Sequence, residues 1–334
     1  MGPAAQRMKK LGSVIAPPII TGLAYYIVAV TALGLTLGHD GIAAIWPSSG
    51  ILLAALLISP RSMAGWHIGA AAVASLAANI GLNNSALVST GFTIANIAES
   101  SLAAWLILRR RGDHISWSDP APLGWFCLAA TCATFVSASI ALCFVQPPTA
   151  EFWFSWFSTD LLGILIVTPL IMIVRDSFRA VAFRPSPAAI GKVISVFTLQ
   201  AALCVVTFAQ STYPLLFLPM IGVLIAVFRL GPLGAAGSVL MITVASSLAI
   251  IMDTGPVALI HASIPARSLF LQAYLLALFA AALPVAALLA SGKRLQVQLR
   301  ENLRLLQLAE SSANVGQCRP LAARHCDRTS HLVA

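Results

Sequence analysis

Long apolar stretches alternate with short polar connections along the whole chain. Ten stretches stand out: 17–38, 42–58, 64–82, 86–108, 123–145, 154–174, 192–210, 213–228, 232–252 and 269–291. A bilayer core about 30 Å thick takes about 20 apolar residues per helix. The pattern therefore predicts an all-α, polytopic transmembrane bundle of about ten spans, with the lipid bilayer as its first partner. Stretches 42–58 and 213–228 are the short ones, and the first is broken near its start by Pro47-Ser48-Ser49-Gly50. An eight-span version remains open if an adjacent pair, such as 42–58 with 64–82, makes a shallow excursion. The connections are too short for an extracellular ligand domain, so any sensing takes place within or beside the bilayer.

Basic residues fix the expected orientation, because cytoplasmic loops carry the excess of Lys and Arg. With the N-terminus inside, the inner loops hold Arg7, Lys9, Lys10, Arg61, Arg109, Arg110, Arg111, Arg175, Arg179, Arg184, Lys192 and Arg229. The outer loops hold Arg267 alone. Both termini are then cytoplasmic. Lys9-Lys10 before an apolar run resembles a secretory signal, but nine further stretches favour an uncleaved first helix.

Composition agrees with the pattern. Hydrophobic residues make up 59% and charged residues only 9%, against roughly 25% charged in a soluble protein. The net charge of +9 would suggest nucleic acid in a soluble chain. Here the basic residues flank spans, and no nucleic-acid partner is expected. Six cysteines form no CxxC and no zinc-spaced cluster, so neither metal nor cofactor is expected.

The motif Trp46-Pro47-Ser48-Ser49-Gly50, followed by ILLAALL, resembles the W-P-x-x-G opening of the first type of bacterial membrane-associated sensor domain. Further motifs follow in the same order. Asn96-Ile97-Ala98-Glu99 resembles that family's Asn/Glu helix, and Trp156, Asp160, Gly163 and Pro169 its W-x-x-x-D-x-x-G segment ending in Pro. FRLGPLGAAG at 228–237 resembles its R-F-G-P-x-G-A turn, and Gly255-Pro256 recurs after the next helix. The resemblance covers about 17–291. It implies the sensory part of a histidine kinase or diguanylate cyclase, hence two-component or cyclic di-GMP signalling in the bacterial cytoplasmic membrane. Some relatives are thought to read a transporter-like partner. The family is usually described with eight helices.

Asp160 and Glu99 are the only acidic residues inside the apolar stretches. Intramembrane ionisable groups are functional hypotheses by default, the plain alternative being a protonated carboxyl bonded to a neighbouring helix. Asp160 lies six residues into its stretch, about 9 Å, and Glu99 thirteen residues into its own, about 20 Å. Upright helices would separate them by about 11 Å in depth, too far to share a proton. Two sites are therefore expected. One lies in the outer leaflet and draws on Trp46, Pro47, Ser48, Asn79, Trp156 and Asp160. A separate, deeper one holds Asn96 and Glu99. Trp46 also reads as an interfacial anchor, and Pro47 suits the first turn of a helix. The sharper reading leaves backbone N–H groups and two serine hydroxyls facing a cavity, as irregular backbone at membrane depth requires.

Beyond Lys293-Arg294 the helical pattern continues. Leu295, Leu299, Asn302, Leu306 and Ala309 keep 4-3-4-3 spacing, either a short coiled-coil seam suited to a homodimer or an amphipathic juxtamembrane helix. LRLLQLAESSANVGQCR at 303–319 resembles the opening of a PAS domain, whose strand does not follow. The expected organisation is a cytoplasmic N-terminus at 1–16, the sensor domain at 17–291, a signalling helix at 292–310 and a disordered tail at 311–334. The tail reads as the start of a lost output domain or as that of a stand-alone sensor. No kinase, cyclase, HExxH or GxSxG motif occurs, so no catalysis is expected, and His67 reads as an inner-face interfacial residue. The sequence thus reads as an integral membrane sensory module. It would detect a small ligand, a lipid or a membrane partner and transmit through its C-terminal helix. The alternative is a secondary transporter of two five-helix halves, for which little internal similarity is visible.

Overall fold

The structure is a computed structural model that describes residues 3–34, 45–111, 120–179 and 186–326. Among these there are ten α-helices and no strand. They are α1 (Pro3–Gly34), α2 (Pro47–Ile58), α3 (Ala64–Gly81), α4 (Ala86–Arg111), α5 (Pro120–Leu142), α6 (Ala150–Arg179), α7 (Pro187–Phe208), α8 (Phe217–Leu230), α9 (Pro232–Ile251) and α10 (Ile264–Cys326). Single 3-10 turns stand at Arg61–Met63 and Pro256–Leu259.

Among the described residues eight helices are long and apolar enough to cross a bilayer, fewer than the ten stretches marked in the sequence. The two that fall short are α2 and α8, with 12 and 14 residues, about 18 and 21 Å of rise. They occupy the two stretches that already read as short. Among the described residues of the 42–58 stretch the helix begins at Pro47, since Pro supplies no N–H and sets φ for a first helical turn. α8 stops at Gly231, where φ is +63°, a conformation a side chain would strain. Pro232 then opens α9. These are the turn residues of the FRLGPLGAAG motif.

The chain divides into two units at Leu288–Leu289. In the first, α6 is the most enclosed of the helices long enough to span. Two-thirds of its apolar span is buried, against 17% for α7, so α6 is the axis against which the others pack. α1–α5 gather on it through α2 and α5, and α7–α9 through α9. Apolar residues facing outward, such as Ile20, Val73, Phe135 and Val205, present the surface that lipid requires. In the second unit α10 continues as helix to Cys326, past residue 311, where the sequence reading places a tail. Residues 327–334 lie outside the described residues.

His67 is buried rather than interfacial, at 1% exposure. Its Nδ1 meets Thr21 Oγ1 at 2.9 Å and its Nε2 meets Ser59 Oγ at 2.9 Å. Thr21 donates its hydroxyl proton to the Pro17 carbonyl, so it accepts from Nδ1–H and leaves Nε2 to accept from Ser59. One neutral ring thereby ties α3 to α1 and to the residue that ends α2.

Candidate functional site

The break before α2 lies at the centre of the α1–α6 group. Trp46 N–H donates to the Thr159 carbonyl at 3.1 Å, and the crossing beside it is closer than side chains allow. A Cβ on Gly163 would collide with the Trp46 carbonyl, and one on Gly50 with the Gly163 carbonyl. The two glycines of the W-P-x-x-G and W-x-x-x-D-x-x-G motifs thus serve one contact, in which α6 and the start of α2 touch backbone to backbone. Thr159 and Gly163 lie about 14 and 20 Å along α6 from its start. Trp46 is accordingly buried, at 7% exposure, and is not the interfacial anchor that its composition allowed.

Hydroxyl groups secure the first turn of α2 from three sides. Thr168 Oγ1 on α6 donates to the Gly50 carbonyl at 3.0 Å, Ser100 Oγ on α4 donates to the Ser49 carbonyl at 3.1 Å, and Ser48 Oγ donates to the Tyr25 carbonyl of α1 at 3.3 Å. Pro169 follows Thr168 inside α6 and removes one helix donor there.

Both acidic residues of the spans come to this place. Glu99 is fully buried and Asp160 nearly so, at 3%. Thr134 Oγ1 on α5 donates to Glu99 Oε1 at 2.8 Å. Glu99 Oε2 has no hydrogen bond of regular geometry, although the Glu99 carboxyl lies against the side chains of Ser49 and Asp160. Ser137 Oγ donates to Asp160 Oδ2 at 3.4 Å and receives Trp156 Nε1–H at 3.0 Å. Trp156 itself packs on Phe92, with centroids 4.6 Å apart.

The two carboxyls therefore form one site, which corrects the expectation of two sites at different depths. The cause is a helix boundary. α6 begins at Ala150, four residues before the apolar run, so Asp160 is about 15 Å along its helix and Glu99, in α4, about 20 Å. The remaining offset is about 5 Å, within what ordinary helix tilt absorbs. A carboxylate cannot donate a hydrogen bond, and two buried like charges repel. Contact between these groups therefore favours a state with one proton between them.

The other sequence candidates divide. Asn96 is buried one turn from Glu99 on α4, with Oδ1 unpartnered. Pro47 opens α2 beside Gly163. Asn79 does not join the group. Its Nδ2 donates to the Ser75 carbonyl, its Oδ1 accepts from Asn84, and its backbone carbonyl accepts the N–H groups of Leu82 and Asn84. It closes the α3–α4 turn. Three residues that the sequence reading passed over do belong: Thr134, Ser137 and Tyr25. Tyr25 is fully buried on α1, and its hydroxyl lies against Ser75 and Trp46, short of regular hydrogen-bond geometry. Among the described residues no group of three His, Cys, Asp or Glu side chains has the arrangement of a metal site.

The sequence model of the MASE1 family, a family of membrane-associated sensor domains, matches residues 18–293, and the chain belongs to that family. It is accordingly a multi-pass integral membrane protein carrying a sensory domain. Comparison with curated proteins and with solved structures gives no match.

Proposed function

We propose that this chain is the sensory module of a bacterial signal-transduction protein of the cytoplasmic membrane. Its responsive element is the Glu99–Asp160 pair at the start of α2, and its output travels along α10. It acts as a receptor rather than an enzyme. The observation that carries this reading is the meeting of two carboxyls from separate helices, deep among apolar spans, against the first turn of α2. Keeping Asp in a span costs about 2.5–3.5 kcal/mol on insertion scales at mid-helix, a cost that packing alone does not require. Such a site has two arrangements within reach, because the contact of the carboxyls depends on what lies between them. A signal that binds one arrangement better shifts the balance. α6 carries Asp160 and also Thr159, whose hydroxyl receives Gln272 Nε2–H of α10 at 2.9 Å. A shift of α6 therefore bears directly on the helix that runs on past residue 288. MASE1 membership supports the sensory reading, and an output through two-component or cyclic di-GMP signalling is what the family resemblance implies.

The transporter reading gains nothing from the fold. In a five-plus-five division, interrupted helices would occupy corresponding positions of the two halves. The short helices here are the second and the eighth, which do not correspond.

The test is a fusion of the full chain to a reporter output domain, assayed in cells against a panel of media, membrane lipids and co-expressed transporters. Asp160→Asn keeps volume and most hydrogen bonds while removing charge. It is expected to leave membrane levels normal and to abolish the response that the unsubstituted fusion gives. A normal response from Asp160→Asn would remove the pair from signal recognition.

A further inference from the structure

The polar centre of the α1–α6 group holds more oxygen than its own contacts use. Glu99 Oε2, Ser49 Oγ and Tyr25 Oη are buried without a hydrogen bond of regular geometry, and their residues are all fully buried. Unpaired buried polar atoms are uncommon and each calls for a partner. Trp46 Nε1–H, also unpaired, faces the Tyr25 oxygen. Beside Glu99 of α4 lie the oxygens of Ser49 of α2 and Asp160 of α6, and the Tyr25 hydroxyl of α1 is near enough to feel both carboxyls.

No Lys or Arg occurs between residues 11 and 60, 62 and 108, or 112 and 174. The six helices of this group therefore bring no cationic side chain to the pair from within their spans. One source of positive potential is the first turn of α2, equivalent to about half a charge. Against two carboxyls that is incomplete, and the contact between them needs one further positive charge. With no cation bound, a proton shared by the two carboxyls would supply it.

We propose that the Glu99–Asp160 pair is a binding site for one small, hard monovalent cation of the sodium class, which takes the place of the shared proton. The donor set is all oxygen, which suits hard cations and not the thiolate- or imidazole-seeking metals. One proton leaves as one cation enters, so the charge at the site is conserved. Mg²⁺ dehydrates reluctantly and keeps several waters, and Ca²⁺ takes six to eight oxygens, whereas of the six oxygens here Glu99 Oε1 and Asp160 Oδ2 already accept from Thr134 and Ser137, which leaves at most four. Tyr25 is the third titratable group facing the pair. α2, α3 and α5 bring only serine and threonine hydroxyls there, and His67 is engaged at the end of α2. This proposal rests on the sensory reading only for its consequence, namely that ion occupancy separates the carboxyls and displaces α6.

The experiment is equilibrium binding of radiolabelled sodium to the purified full chain in detergent, with choline chloride holding ionic strength constant. The expected result is saturable binding of one ion per chain. Apparent affinity falls by up to about tenfold for each unit that pH is lowered, as one-for-one exchange requires. Glu99→Gln and Asp160→Asn each weaken binding by at least tenfold. Ser49→Ala, a smaller change that leaves both carboxyls, weakens it severalfold, and Asn79→Ala leaves it unchanged. Gel filtration and thermal unfolding establish that each variant is folded. Absence of saturable sodium binding in the folded wild-type chain overturns the proposal. So does binding that Glu99→Gln and Asp160→Asn leave intact, or calcium binding tighter than sodium at the same pair. The reporter fusion separates the two readings. If sodium does not bind while Asp160→Asn still abolishes the response, the cation site falls and the sensory reading stands. If sodium binds while Asp160→Asn responds normally, the site stands and its sensory role falls.

Discussion

Gly163 has no room for a side chain. The atom that a methyl group would meet is the backbone carbonyl of Trp46, which cannot swing aside as the end of a long side chain can. Overpacking a tight contact typically costs about 1–3 kcal/mol. Gly163→Ala should lower the thermal unfolding midpoint of the purified protein in detergent and reduce its yield from membranes. Gly69→Ala, at a site with open space, should do neither; equal midpoints for the two variants would mean that the α2–α6 crossing is looser than described. The same residue shows what the sequence could and could not tell. Trp156, Asp160 and Gly163 lie at i, i+4 and i+7, one face of a helix, and the structure keeps them on one side of α6. The meeting of Asp160 with Glu99 was hidden because α6 starts among Ala150, Glu151 and Phe152, outside the apolar run. Thr134 and Ser137 were hidden for another reason. Hydroxyls in apolar helices commonly bond their own backbone four residues back, as Thr131 and Ser139 do on the same helix. Nothing local distinguishes the hydroxyls that reach a carboxyl.

At the level of helices, the apolar runs mark the elements well and their ends poorly. Every stretch read as a span contains a helix, and the two short stretches correspond to the two short helices. What the pattern could not give is where α2 begins, because residues 42–46 are as apolar as the helix that follows. Tertiary contact decides it. The Trp46 N–H bonds to α6, and the serine and threonine hydroxyls hold the turn. α8 is fixed from outside in the same way, since Tyr274 Oη of α10 donates to the Leu216 carbonyl just before it at 2.6 Å. One membrane boundary is marked where α4 ends and α5 begins. There Arg109 lies 5.0 Å from the Trp105 ring and Arg110 4.3 Å from that of Trp125, the pairing of aromatic and basic side chains expected at an interface. The side on which it lies is open to direct test. Ser62 and Ser85 are both exposed and flank α3 at opposite ends. In a background without the native cysteines, Ser85→Cys should react with an impermeant thiol reagent on intact cells. Ser62→Cys should react only after the cells are opened. The reverse pattern would invert the orientation read from the basic residues.

For the whole molecule, the question is how an event at a site buried in one unit is passed on, and α10 is the one described element that belongs to both units. Along its second part Leu295, Leu299 and Leu306 are 68%, 59% and 63% exposed. Large apolar side chains on a helix of this kind require a partner or a membrane surface. The 4-3-4 spacing of Leu295, Leu299, Asn302 and Leu306 favours a partner, because it gives the narrow seam of a two-stranded coil, with Asn302 its one polar member. A second copy of the same chain satisfies that seam by symmetry. Val297, Leu303 and Leu305 are also exposed but lie off it, so the seam makes a claim that a merely amphipathic helix does not. In cysteine-free membranes, Leu299→Cys and Leu306→Cys should each give a disulfide-linked dimer on mild oxidation. Gln298→Cys and Leu305→Cys, one position earlier, should crosslink several-fold less, since disulfides form only where Cα atoms come within about 7 Å. Equal crosslinking at all four positions, or none at any, would mean that this part of α10 lies on the membrane or turns freely. The output of the buried pair would then have to leave the bundle by another route.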